Sequence, residues 1–264
     1  MIDTHCHLTR VELASRLPEV LGAARAAGVH SLVSIATGCT NAIAARDLAR
    51  ANDGVSFSAG VHPLYAEEPI DWDLLREAAE DECCVAWGEL GLDHHYPRPP
   101  RPRQREVLES QLGHIVDWES GAARKERGVV VHCRKSFDEL VPILRASGIA
   151  GNRFVFHCFS GGRAEAEMVL EMGAWISFTG ILTYANAPEV REAAAVVPLD
   201  RIMVETDSPY LSPEPDRRRW PNEPASVVAV AKRLAEIRGI PLKDLETLLD
   251  ANAVRFFGPR LKGP

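Results

Sequence analysis

The sequence predicts a single-domain α/β protein, a (β/α)8 TIM barrel. Three observations carry that prediction. Eight short apolar runs rich in β-branched residues recur along the chain, separated by stretches of helical periodicity. The length, 264 residues, suits eight β-α units. No G-x-G-x-x-G turn follows the first strand and no P-loop pattern occurs, so the usual evidence for a doubly wound nucleotide-binding sheet is missing.

In chain order, the first strand is Met1–His7, followed by a helix over Val11–Ala27. The strand Ser31–Thr37 leads to a helix over Asn41–Ala51, and the strand Val55–Val61 to one over Asp73–Glu80. The fourth strand, Val85–Leu90, runs into a proline-rich tract that reads as a loop. Then come Val129–Cys133 with the helix Ser136–Ala146, Phe154–Cys158 with Gly162–Glu171, and Ala174–Phe178 with Ala187–Val196. The strand Arg201–Thr206 precedes two closing helices, Pro224–Arg238 and Leu242–Phe257. No linker, repeat or low-complexity tract divides the chain, so residues 1–264 read as one domain.

Composition removes several classes of function. With 46% hydrophobic and 25% charged residues the chain is neither disordered nor fibrous. A net charge of −7 provides no overall positive field for nucleic acid or membranes, so a phosphate-bearing substrate needs a local site. No apolar run approaches a membrane span, and the N-terminus has no signal-peptide pattern. Cys6, Cys39, Cys83, Cys84, Cys133 and Cys158 form no C-x-x-C pair, which argues against a structural zinc or a thioredoxin-like motif. Reduced thiols without an export signal suggest the cytoplasm.

Barrel enzymes work at the C-terminal ends of their strands, and here those ends carry the chemistry. The first ends His5-Cys6-His7, whose alternation puts both imidazoles on one face and Cys6 on the other. The fourth carries Glu89 between Gly88 and Gly91, the fifth ends at His132, the sixth at His157, and the eighth runs into Glu205-Thr206-Asp207. One catalytic zinc needs about three protein ligands. Six candidates, His5, His7, Glu89, His132, His157 and Asp207, suit two divalent ions, with Glu89 as the bridge. Nitrogen and oxygen donors fit zinc, manganese or magnesium. Lys135 is the sole lysine near a strand end and lies beyond the rim.

The ordered motifs resemble those of the TatD-type metal-dependent hydrolases, barrel enzymes described as deoxyribonucleases. They are Ile2-Asp3-Thr4-His5-Cys6-His7-Leu8, Gly60-Val61-His62-Pro63, Gly88-Glu89-Leu90-Gly91-Leu92-Asp93, His132-Cys133-Arg134, His157-Cys158-Phe159-Ser160-Gly161 and Glu205-Thr206-Asp207-Ser208-Pro209-Tyr210-Leu211, followed by Asn222-Glu223-Pro224 and Asn252-Ala253. The resemblance implies one ion on His5, His7 and Asp207, another on His132 and His157, with Glu89 between. It also implies hydrolysis of DNA phosphodiesters from a strand end. The chain departs from the family pattern at Leu64, at His94-His95-Tyr96 and in a longer connection over Val116–Ala123, which bears on substrate preference.

Two ions would polarise the phosphate and activate water. Asp207 is then either a ligand alone or also the base, and Glu89 the second catalytic carboxylate. Glu205 either orients a ligand histidine or pairs with an arginine. Arg134 reads as a phosphate contact or a solvated rim residue, and His62 as a phosphate or leaving-group contact or a loop stabiliser. Arg98, Arg101, Arg103 and Arg105, and Arg217-Arg218-Arg219, are candidate backbone grips in rim loops, with Tyr65, Tyr184, Tyr210 and Trp220 as candidate stacking residues. Single-stranded ends fit the negative chain better than duplex. The alternatives are a hydrolase of C–N, lactone or acyl ester bonds using the same ions, and a catalytically silent metal-bearing module. No membrane or obligate protein partner is evident.

Overall fold

In the computed structural model, which describes residues 1–120 and 126–261, eight parallel strands stand side by side in chain order. They are β1 (Ile2–Cys6), β2 (Ser31–Ser34), β3 (Val55–Ala59), β4 (Cys84–Asp93), β5 (Gly128–Arg134), β6 (Phe154–Phe156), β7 (Trp175–Phe178) and β8 (Ile202–Val204). The helices are α1 (Val11–Ala14), α2 (Leu17–Ala26), α3 (Cys39–Ala51), α4 (Trp72–Ala79), α5 (Arg101–Trp118), α6 (Phe137–Ala146), α7 (Arg163–Glu171), α8 (Pro188–Val196), α9 (Val227–Arg238) and α10 (Leu242–Phe257). This is the predicted TIM barrel. Among the described residues no helix is long and apolar enough to cross a membrane.

Strand alternation sorts the core into two apolar clusters. Leu32, Phe57, Val129, Val131, Phe154, Phe156, Ile176 and Val204 pack between sheet and helices. Their neighbours Val33, Val130, Val155, Trp175 and Met203 form a second cluster, closed by Phe257 and Leu261. Buried Ser56, Ser58 and Ser177 occupy alternate positions on β3 and β7. No cysteine of the chain is in a disulfide.

Three expectations need correction. The helix expected over Val11–Ala27 is broken into α1 and α2, with Pro18 in the first turn of α2. A proline lacks the N–H a continuous helix needs but fits a new first turn. The tract expected as a loop becomes α5, which takes Pro102 into its first turn, so Arg101, Arg103 and Arg105 are helical. The eighth strand stops at Val204, before Glu205 and Asp207, and Asp207 takes a left-handed φ of 55°. Of the connection noted over Val116–Ala123, Val116 to Trp118 belong to α5, while 121–123 lie outside the described residues.

The barrel closes between β8 and β1 by a short seam. Cys6 bridges Ser208, the His7 N–H donates to the Ser208 carbonyl at 2.7 Å, and the Asp207 N–H donates to the His5 carbonyl at 2.9 Å. The Asp3 carboxylate accepts from the Thr206 N–H at 2.9 Å and its hydroxyl at 2.6 Å. Burial outweighs these bonds and pushes the Asp3 pKa up to about 8.

Candidate metal centre

Six residues from five strand ends meet around one carboxylate. Glu89 is buried at 1% exposure, and its two oxygens face different neighbours. Oε1 lies 2.6 Å from His157 Nε2, 2.8 Å from His132 Nδ1 and 3.4 Å from His62 Nε2. Oε2 lies 3.5 Å from His5 Nε2 and 4.0 Å from His7 Nε2. Asp207 Oδ1 completes the second side, 3.2 Å from His7 Nε2 and 3.5 Å from His5 Nε2. Gly91 makes the approach possible. Its φ is 146°, and a Cβ there would overlap the His132 carbonyl.

The H-x-H pair behaves as strand alternation requires. His5 Nε2 and His7 Nε2 are 3.3 Å apart, while the Cys6 thiol turns away toward the Val33 carbonyl. Three of the rings are anchored by their other nitrogen. His7 Nδ1 is 3.2 Å from the Ile35 carbonyl, His132 Nε2 is 3.1 Å from Asp93 Oδ2, and His157 Nδ1 is 3.2 Å from Glu205 Oε1. Such anchors fix ring orientation and tautomer in metal sites. Buried His5 Nδ1 has no hydrogen-bond partner among the described residues.

Three sets of ligand atoms lie close enough to share an ion: His5, His7 and Asp207; His5, Glu89 and His157; and His62, Glu89 and His132. The donor chemistry fits divalent cations. Two carboxylates converge on imidazoles, with no lysine or arginine ion-paired to them among the described residues, so a divalent cation at the centre would supply the charge they lack. The histidines act on these charges as well. Burial raises the Glu89 pKa, but His157, His62 and the hydrogen bond from His132 outweigh it and hold the carboxyl well below its usual range. Burial likewise opposes ionisation of Asp207, and the bond from His7 with the charge of His5 brings its pKa below normal. His157 moves the other way: Glu89 and Glu205 override its burial and raise its pKa. Burial dominates at His62, bringing it down to about 3.

Glu205 sits beneath this centre. Besides facing His157, its Oε1 accepts the Cys158 N–H at 2.7 Å, and no arginine pairs with it among the described residues. His62 is closer to the centre than its sequence suggests, 3.2 Å from His132 Nδ1. Arg134 lines the mouth, its guanidinium 5.4 Å from the Tyr96 ring centre. The cavity holds about 530 Å³ and is walled by Arg10, Leu64, Tyr65, Tyr96, Tyr210 and Leu211.

Of the seven cluster arginines, all but Arg101 and Arg218 meet a carboxylate among the described residues. Arg98 pairs with Glu67, Arg103 with Glu106, Arg105 with Glu109, Arg217 with Glu214, and Arg219 with Glu223. Tyr184 is buried, its hydroxyl donates to the Ser212 carbonyl, and Arg217 covers its ring. It is not a stacking surface.

A profile of TatD related DNases matches residues 2–258. The chain belongs to the TatD family. It is 37% identical to the uncharacterized metal-dependent hydrolase YcfH of Escherichia coli strain K12, over 97% of this chain and 95% of that one. It is 32% identical to the 3′-5′ ssDNA/RNA exonuclease TatD of Erwinia amylovora, over 98% of this chain and all of the other. Among solved structures, the TatD homologue YjjV of E. coli K12 superposes with a TM-score of 0.89 at 29% identity, covering 97% of both chains. The protein is thus a TatD-family metal-dependent hydrolase.

Two other TatD motif residues that lie outside the donor set shape the fold. Asn222 Nδ2 donates to the Thr206 and Tyr210 carbonyls and pins the β8 end of the site, while Asn252 Nδ2 donates to those of Leu199 and Ile202 and pins the opposite, N-terminal end of β8. The sequence reading assigned no role to Asp93 or Arg10. A signal for Asp93 was present, two residues beyond Gly91 in a glycine-bracketed motif. Arg10 had none, because only the fold shows that the loop after β1 overhangs the cavity.

Proposed function

We propose that this hydrolase cleaves phosphodiester bonds in DNA, at single-stranded ends, with two divalent ions. The carrying observation is the split of Glu89, one oxygen toward His132 and His157 and the other toward His5 and His7. His5, His7 and Asp207 would hold one ion, His132 and His157 the other, and Glu89 both. Zinc, manganese or magnesium suits these donors. When bound, the ions supply Lewis acidity at the phosphoryl group and make water a stronger acid.

The chain's own residues do the rest. Asp207, kept ionised beside His7 and His5, accepts the proton of the attacking water at its carboxylate. Glu205 and Asp93 hold the His157 and His132 rings toward Glu89. Arg134 binds a non-bridging phosphate oxygen at the mouth. The name of the Erwinia relative supports a nucleic-acid substrate and a 3′ start.

The test is a time course on 3′- and 5′-labelled single-stranded DNA with Mg²⁺, Mn²⁺, Zn²⁺ or chelator, with Glu89→Ala alongside. Stepwise release of mononucleotides from one end, abolished by chelator and by Glu89→Ala, is expected. No cleavage with metal bound would overturn the proposal and direct the assay to lactones, amides and acyl esters.

A further inference from the structure

Two cations in the cavity wall, Arg10 and Arg134, have no carboxylate partner among the described residues. Around them, loop arginines are paired: Arg16 and Arg219 share Glu223, and Arg98 meets Glu67. An arginine left unpaired in a concave site is set for an anion. The two stand in different sectors of the rim, Arg134 at the end of β5 and Arg10 in the loop between β1 and α1.

Arg10 is positioned deliberately. Its Nη2 donates to the Tyr65 hydroxyl at 2.6 Å and its guanidinium lies 5.8 Å from that ring's centre, which leaves the other N–H groups for a ligand. Beside it, Tyr210 stands 6.0 Å from the His7 ring and 5.7 Å from Trp220. Both are exposed, Tyr210 at 39% and Trp220 at 57%, although most large apolar side chains are covered. An exposed aromatic pair beside a positioned guanidinium is what a nucleotide requires, a face for the base and a fork for the phosphate.

A single diester phosphate seated between Glu89 and Arg134 leaves Arg10 without an anion. We propose that Arg10, held by Tyr65, binds a second, uncleaved phosphate, and that Tyr210, with Trp220 behind it, receives the nucleoside. The preferred ligand then carries phosphates on both sides of one sugar, as a nucleic-acid strand does and an isolated diester does not. This deepens the phosphodiesterase reading and rests on it.

Thymidine 3′,5′-bisphosphate is the probe, because it has both phosphates and no diester to cut. Its affinity is measured by calorimetry on the Mn²⁺-loaded full chain against thymidine 5′- and 3′-monophosphate. The wild type is expected to bind the bisphosphate at least about tenfold more tightly than either monophosphate, the scale of one charge-assisted contact. Arg10→Met should bring that preference close to one at an unchanged melting temperature. Tyr65→Phe, which keeps the cation but frees it, should reduce the preference in part. Equal binding of all three ligands by the wild type, or an undiminished preference in Arg10→Met, overturns the proposal. A wild type that prefers the bisphosphate through Arg10 yet leaves DNA intact keeps the subsite and removes the diesterase reading. One that cuts DNA without the preference does the reverse.

Discussion

Gln104 ties α5 to the catalytic rim, and Gln104→Leu measures how much that tie is worth. The side chain is buried at 1% exposure. Its Oε1 accepts the Asp93 N–H at 2.8 Å, and its Nε2 donates to the carbonyls of Asp93 at 2.9 Å and Pro99 at 2.8 Å. Leucine keeps the volume but leaves one buried donor unpaired, at about 1–3 kcal/mol, and takes two further bonds at about 1 kcal/mol each. Added apolar contact returns about 1 kcal/mol. The net loss is about 2–4 kcal/mol, or roughly 4–16 °C in melting temperature for a domain of this size. Calorimetry and urea unfolding with an unchanged m-value provide the assay. Because Asp93 anchors His132, metal affinity should fall in the same variant. A loss below about 0.5 kcal/mol, small beside the usual cost of stranding a buried donor, would refute the reasoning, since the Asp93 backbone would then have found other partners.

Further expectations concern the centre and the surface. Glu205→Gln should weaken metal binding about 10–100-fold, as loss of a ring-orienting carboxylate does elsewhere, measured by chelator competition; an unchanged affinity would mean that Glu205 only supports the Cys158 backbone. Asp207→Asn should abolish turnover; if cleavage persists with full metal content, Asp207 is not the base. Asp81 tests pH dependence: burial opposes its ionisation, but the Cys83 N–H and Arg50 outweigh it and depress its pKa. Its contribution is therefore present above pH 3.8 and lost as pH falls through the lower folded value. Asp81→Asn should cost about 1 kcal/mol at pH 7, and the gap from wild type should close once pH falls below the depressed folded value in urea titrations; a gap that persists there would point to packing.

The alternation of apolar runs was legible because barrel strands must bury both faces, and in the structure period two sorts Val130 from Val129 and Val131. The six proposed donors were legible because they end strands. What could not be read is what long-range packing decides. The prolines around Arg101 signal a break locally, and only docking onto β4 turns that tract into α5. Charges on Arg98 and Arg217 looked available because Glu67 and Glu214 announce no contact until the loops meet. Glu205 was expected to face inward by strand alternation, and it does reach His157, although it lies just beyond the end of β8.

The β8–β1 seam also governs timing. His5 and His7 are made some two hundred residues before their partner Asp207, and the Asp3–Thr206 bonds that hold the two together span the same interval. Contacts of such sequence separation form late, after long loops have closed. An interrupted or nascent chain therefore carries the first histidines without the pocket they serve. The candidate centre is complete only once β1 and the end of β8 have met.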